Sequence, residues 1–218
     1  FLELARGLEA DLVVSLPYGR RAAARLAARS GAVLLETGLP MGLKGTSAWL
    51  AALRRAAGLG GGLPAAVAAE EVLAAGEMAP LLDVLAHRGA VFAGDPHLFG
   101  AFASFAGELR VRVPAAVLDS GAREKLPVPP PGLLLLCPDM AGAAGAVAAL
   151  AGYDRPHLLV GNSFAATEGL APGLPFVELG FPSYGHHCLN DEPFLGFAGA
   201  RTLAGRLANA LRGGNRLR

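Results

Sequence analysis

The chain has 218 residues, 53% of them hydrophobic and 17% charged, which is ample apolar material for one large domain or two small ones. Its formal net charge is +1, and no basic stripe with interleaved aromatics occurs, so nucleic-acid binding has no support. No apolar run approaches the ~20 residues of a membrane span, and the two cysteines, Cys137 and Cys188, lie far apart, forming neither a disulfide framework nor a cysteine-only metal motif, as expected in a reducing cytoplasm.

The chain opens on "FLELARGLEADLVVSLP", a helix running into a strand. The first residue is Phe1, not Met, no signal-peptide pattern follows it, and the stretch reads as mid-domain text, so the expectation is a chain whose N-terminal portion is missing. "DLVVSL" is a short apolar run closed by Pro17, "GRRAAARLAARS" has helical spacing, and "AVLLET" is a second strand. Residues 1–40 therefore read as the end of a preceding Rossmann-like domain. Thr46 or Ser47 is placed to cap a helix carrying Trp49, Leu50 and Leu53 on one face, and residues 64–87 read as one long helix bent near Gly76 and Pro80. Two successive helices without a strand make residues 41–88 a helical crossing segment.

From residue 89 on, strands and helices alternate. "AVFAGD", "RVRVPAAVLD", "LLLLC", "HLLVGN" and "PFVEL" read as strands. "PHLFGAFASFAGEL", "DMAGAAGAVAALAG", "SFAATEGL" and "AGARTLAGRLANALR" read as helices. This predicts an α/β fold: a Rossmann-like parallel sheet covered by helices on both faces, filling residues 89–218 as a C-terminal domain. Ligands of such sheets sit beyond the carboxyl ends of the strands.

Several candidate residues fall at that edge. Asp95, in Gly94-Asp95-Pro96, is either a ligand carboxylate or the cap of the following helix. Asn162 and Ser163, after Gly161, can hold an anion at a helix N-terminus, or cap it. No GxGxxG follows a strand and no GxxxxGK[ST] occurs, so ATP binding by this chain is not expected. The stretch "GFPSYGHHCLNDEPFLGFAGA" (180–200) gathers Phe181, Tyr184, His186, His187 and Cys188. Phe181 is expected in a common crevice with Asn162, and Tyr184 along the same cleft. His186 and His187 are expected to face the cleft as hydrogen-bond or proton suppliers, because imidazole titrates near neutral pH. Direct metal ligation by His187 and Cys188 is a second version, for which Asp191 and Glu192 are weak further ligands.

The ordered set "LPMGLKGTSAWLAAL", "GDPHLFGAF", "LLVGNSF", "PFVELGFP" and "FLGFAGARTL" resembles the second half of nitrogenase component 1 proteins, β-type chains and the related scaffold subunit above all. The resemblance implies three Rossmann-like domains per full chain. It further implies pairing with a homologous α-type subunit and electrons from an ATP-dependent iron protein reductase. An iron-sulfur cluster or related metallocluster would sit in the assembled complex, with none expected to be held by this chain alone. "SYGHHCLNDEP" keeps the His pair of β-type chains and lacks their Asp-Arg, which points toward the cofactor-assembly branch or nitrogenase-like reductases. The alternative from the residues alone is a two-lobed module holding a small ligand between residues 1–40 and 90–218.

Overall fold

The computed structural model describes residues 9–119, 132–187 and 190–214. Strands β1 (Leu12–Ser15) and β2 (Val33–Glu36) pair in parallel, Leu12 opposite Val33 and Ser15 opposite Glu36. Helix α1 (Arg20–Ser30) connects them and packs Ala23 and Ala27 on Val13. It stops at Gly31, whose φ of 75° lets its N–H return to the Ala27 carbonyl.

Helix α2 (Gly42–Ala56) begins earlier than the predicted Thr46 or Ser47 cap. Thr46 is buried inside the helix and donates its hydroxyl to the Gly42 carbonyl. The cap comes from elsewhere in the chain: the Glu108 carboxylate accepts from the amides of Leu43 (2.8 Å) and Lys44 (3.2 Å). A Cβ on Gly42 would lie 2.6 Å from that carboxylate, and its φ is +77°, so only glycine suits the position.

The predicted helix over 64–87 is three pieces: α3 (Ala65–Met78), a 3-10 turn (Ala79–Leu81) and α4 (Leu82–Leu85). Pro80 has no N–H to continue the helix and sits in the break, whereas Gly76 stays inside α3.

The main sheet has strands β3 (Gly89–Gly94), β4 (Arg112–Leu118), β5 (Leu133–Leu136), β6 (Leu158–Gly161) and β7 (Phe176–Glu178). Their order is β5-β4-β3-β6-β7 and every pair is parallel. Helices α5 (Pro96–Glu108), α6 (Met140–Ala148), α7 (Ser163–Thr167) and α8 (Gly196–Gly214) cover it.

Alternation along β3 sends Ala90 and Phe92 to one face and Val91 and Ala93 to the other. The first face packs Phe92, Phe99, Phe102 and Phe105 with Leu203 and Leu207 of α8. Each such side chain stabilises by about 1.5–3 kcal/mol on full burial. The second face packs Val91, Val117 and Leu159 under Ala143 and Val147 of α6 and Ala165 of α7.

This arrangement is the parallel α/β sheet, covered on both faces, that the alternation predicted. No described helix is long and apolar enough to cross a membrane.

From β3 the chain moves outward through β4 and β5, then returns to place β6 on the other side of β3. Helix α5 leaves β3 toward the first face and α7 leaves β6 toward the second. The strand order reverses between β3 and β6, and a crevice opens beyond their carboxyl ends.

Candidate functional site

The two central strands approach closely where the crevice begins. A Cβ on Gly161 would run into the Ala93 carbonyl, so glycine is required at the end of β6. Gly94 has a φ of +143° and turns the chain out of β3 toward α5. Beyond these turns lies a cavity of about 400 Å³ lined by Gly94, Asp119, Cys137, Asn162, Phe164 and Phe181, among others. This volume is within the range of small-ligand sites, about 300–1,000 Å³.

Asn162 and Phe181 thus share one crevice, at the ends of neighbouring parallel strands β6 and β7. Asn162 is buried. Its Oδ1 accepts from the Ala165 amide and caps α7, and its Nδ2 donates to the Phe181 carbonyl at 3.4 Å. Phe181 itself is 88% exposed, an apolar ring held at the rim with little covering it.

Asp95 is committed to capping. Its Oδ1 accepts from the amides of His97 and Leu98, at 2.8 and 2.9 Å, and from the Tyr18 hydroxyl at 2.8 Å. The Tyr18 bond ties the β1–α1 junction to the carboxyl edge of the main sheet. Desolvation, the bond to Asp95 and the charges of Asp95 and Asp119 all push the Tyr18 phenol pKa up. Asp119, next along the edge, is pushed up by desolvation first and then by the Asp95 charge, against a smaller pull from its own backbone amide.

Ser163 is committed to hydrogen bonds within the protein. Its hydroxyl donates to Glu178 Oε1 and its Oγ accepts from the Tyr184 amide at 2.6 Å. Glu178 Oε1 also accepts from the amides of Tyr184 (3.0 Å) and Gly185 (3.4 Å). Glu178 is 7% exposed. Burial acts to raise its pKa, but bonds from Ser163, Gly185, Tyr184 and Ser183 outweigh it and hold the carboxyl below its ordinary value. This carboxylate therefore fastens the 181–187 loop to the end of β7. The Tyr184 ring meets Phe164 edge-on at 6.1 Å, continuing the aromatic rim.

The two histidines part. His186 Nε2 lies 2.9 Å from Glu192 Oε2, and His186 lines a separate cavity of about 330 Å³ with Glu178, Arg206 and Asn209, outside β7. His187 is exposed. Cys188 lies outside the described residues. Among the described residues no three His, Cys, Asp or Glu side chains gather so as to hold a metal ion.

The structure thus joins Gly94, Asn162 and Phe181 on one cavity and Ser163 with Tyr184 through Glu178. It sets Asp95 and His186 in other contacts. Asp119, Glu178 and Arg206, which donates to the Glu178 carbonyl at 2.7 Å, were not singled out from the sequence. One signal was present: a glutamate closing the apolar run "PFVELG" is a charge at a buried strand position.

No curated protein sequence matches the chain. Solved structures share the fold, among them the following two. One, described as "Nitrogenase Cp1 at pH 6.5", superposes with a TM-score of 0.78 at 19% identity, covering 94% of this chain and 46% of that one. Another, "Nitrogenase Cp1 at pH 5", superposes with a TM-score of 0.68 at 12% identity, covering 94% and 48%. The chain therefore spans less than half the length of these structures. The sequence profile of the Nitrogenase component 1 type Oxidoreductase family matches residues 2–212, and the chain belongs to that family.

Proposed function

We propose that this chain serves as a β-type or scaffold-type subunit of a nitrogenase-like complex, in which its carboxyl-edge crevice walls a shared cofactor cavity. In this reading residues 1–40 end a preceding Rossmann-like domain, 41–88 cross over, and 89–218 form the last domain. A homologous α-type subunit pairs with it, and an ATP-dependent iron protein supplies electrons in the cytoplasm. The complex either reduces a substrate or assembles the metallocluster that does so.

The observation carrying this reading is the crevice at the strand-order reversal, where Gly94, Asn162 and Phe181 meet. Its rim is aromatic and open, as suits a wall completed by another surface. In this reading, as the family resemblance implies, cluster ligation falls to other chain segments or to the partner.

What this chain supplies is shape and hydrogen-bonding groups. Asp119 lines the cavity, and desolvation first and then the Asp95 charge raise its pKa above that of an ordinary aspartic acid. Tyr18 keeps its phenolic proton and presents Asp95 with a fixed donor.

The test is purification of the natural full-length chain from its host, with iron and acid-labile sulfide measured on whatever copurifies. A homologous partner chain and bound iron support the proposal. A chain that purifies alone without iron, and binds a small organic ligand in the crevice, supports instead the stand-alone two-lobed module. The Tyr18–Asp95 bond between the small and large sheets is the contact that favours that second reading.

A further inference from the structure

The opposite edge of the main sheet, where the strands begin, carries a second concavity. Its volume is about 290 Å³ and it is walled by five chain segments: α4, the turn before β3, the loops before β6 and β7, and the end of α8. The charged lining is Arg88, Arg155 and Arg212, with His157 beside them, and no acidic residue contributes. We propose that this cavity is a binding site for a compact multivalent oxyanion, a phosphate or diphosphate group.

The argument begins with charge. Arg112, on the same edge, has its cation matched: it lies 3.9 Å from Asp154 and stacks 4.0 Å from the Tyr153 ring centroid. Arg88, Arg155 and Arg212 have no carboxylate within ion-pair distance among the described residues. Three unmatched guanidinium groups around one concavity repel each other, and an anion between them removes that cost. Guanidinium forks match phosphate oxygens two at a time, which favours phosphate over a spherical anion. The small volume favours a compact group over a large organic ligand, since it falls at the low end of small-molecule sites, about 300–1,000 Å³.

The histidine is held ready for the same role. His157 Nδ1 accepts from the Gly89 amide at 3.1 Å and the His157 amide donates to the Gly89 carbonyl at 2.8 Å. With Nδ1 accepting, the ring proton resides on Nε2, leaving that atom a donor. Burial first, and then the charges of Arg88, Arg112 and Arg155, lower the ring's pKa, against a smaller opposing pull from the Arg155 carbonyl. The backbone is fitted as well. A Cβ on Gly89 would lie 2.7 Å from the Arg155 carbonyl, so glycine allows the 155–157 loop to close over β3. Arg88 Nε donates to the Val84 carbonyl at 3.3 Å, which anchors its side chain along α4.

This site is independent of the crevice at the carboxyl edge and of the function proposed for it. The experiment is calorimetric titration of the natural full-length chain, with any copurifying subunit, using inorganic phosphate, inorganic diphosphate and ADP. Sodium chloride at matched ionic strength is the control. Saturable diphosphate binding is expected, weakened roughly tenfold by Arg88→Ala and again by Arg155→Ala, and unchanged by Arg29→Ala on α1. Both arginines are exposed, so these variants should fold, and Arg155→Gln with circular dichroism guards against a folding artefact. ADP binding as tightly as diphosphate assigns the site to the phosphate group alone; tighter ADP binding assigns it to a phosphate-bearing organic molecule. Three results would overturn the proposal: no saturation by about 10 mM diphosphate, equal affinity in the Arg88 and Arg155 variants, or capture of an acidic polypeptide that diphosphate cannot displace.

Discussion

The two edges of the main sheet are charged oppositely and are built by different means. At the carboxyl edge Asp95, Glu178 and Asp119 follow or close the strands, and the first two are spoken for. Asp95 holds α5 and Tyr18, and Glu178 holds the 181–187 loop. At the amino edge Arg88, Arg155 and Arg212 stand around a cavity, and the described residues offer them no carboxylate partner. One edge spends its charges on fixing backbone, so its cavity is shaped by turns and aromatic rings. The other leaves its charges free, so its cavity is defined by field. A net charge of +1 does not reveal this division.

The largest effect that tests this difference is steric. Gly161→Val drives a side chain into the Ala93 carbonyl between two central strands, and a loss of about 3 kcal/mol or more is expected in urea denaturation. Gly89→Ala, at the amino edge, meets the Arg155 backbone carbonyl at 2.7 Å with one methyl group rather than a branched side chain, and a smaller loss of about 1–2 kcal/mol is expected. Equal losses would mean that the two edges are packed equally tightly.

Next comes the carboxylate under the loop. Glu178→Gln should cost about 2 kcal/mol at neutral pH, because charge-assisted bonds from Ser163, Tyr184 and Gly185 weaken together. Hydrogen exchange should show the Tyr184 and Gly185 amides losing protection. The folded-state pKa of Glu178 is depressed, so its contribution is present above the ordinary carboxylate pKa. That contribution disappears as pH falls through the depressed value. Thermal melts from neutral pH down to about pH 3 should therefore slope less in Glu178→Gln than in the natural protein.

Asp119 should behave with the opposite sign. Its folded-state pKa is raised, so whatever stability it adds is present below the unfolded value and is lost as pH rises through the raised one. At neutral pH the ionised form is unfavourable beside Asp95. Asp119→Asn should stabilise by a few tenths of a kcal/mol, since exposure screens most of the repulsion. A thermal melt at neutral pH that moves downward would contradict this.

The smallest expected effect on folding is at the histidines. His186→Ala with His187→Ala should change stability by no more than ~0.5 kcal/mol, because His187 is exposed and the His186–Glu192 pair is partly exposed. Activity of the assembled complex should fall in the same variant. Unchanged activity would leave the carboxyl edge to the crevice alone.

The strands were legible because each is a short apolar run bounded by glycine, proline or charge, and a run such as "HLLVGN" has no competing reading. The α2 start was not legible, since its cap is Glu108, more than sixty positions away in the chain. No local signal encodes a cap that arrives from another helix, and Thr46 offered a plausible local substitute. At the site, Asn162 and Phe181 followed from strand pairing, which topology constrains. The separation of His186 from them depends on Glu178 gathering two loop amides, and spacing along the sequence says nothing of that. The arginines of the amino edge are scattered at 88, 155 and 212, and only folding collects them.

The position of β3 has a consequence for the order of assembly. It pairs with β4 through a single intervening helix and with β6 only after β4, β5 and α6 have been traversed. Closing the longer loop costs more chain entropy and yields its contacts later. The β3–α5–β4 unit, with its phenylalanine cluster, should therefore nucleate the sheet, and β6–β7 should dock onto a strand already half paired. Conservative truncations at Val117 should then slow refolding, while those at Leu159 should mainly quicken unfolding. On this kinetic view the crevice between β3 and β6 is a late seam, closed last when the second half of the chain arrives.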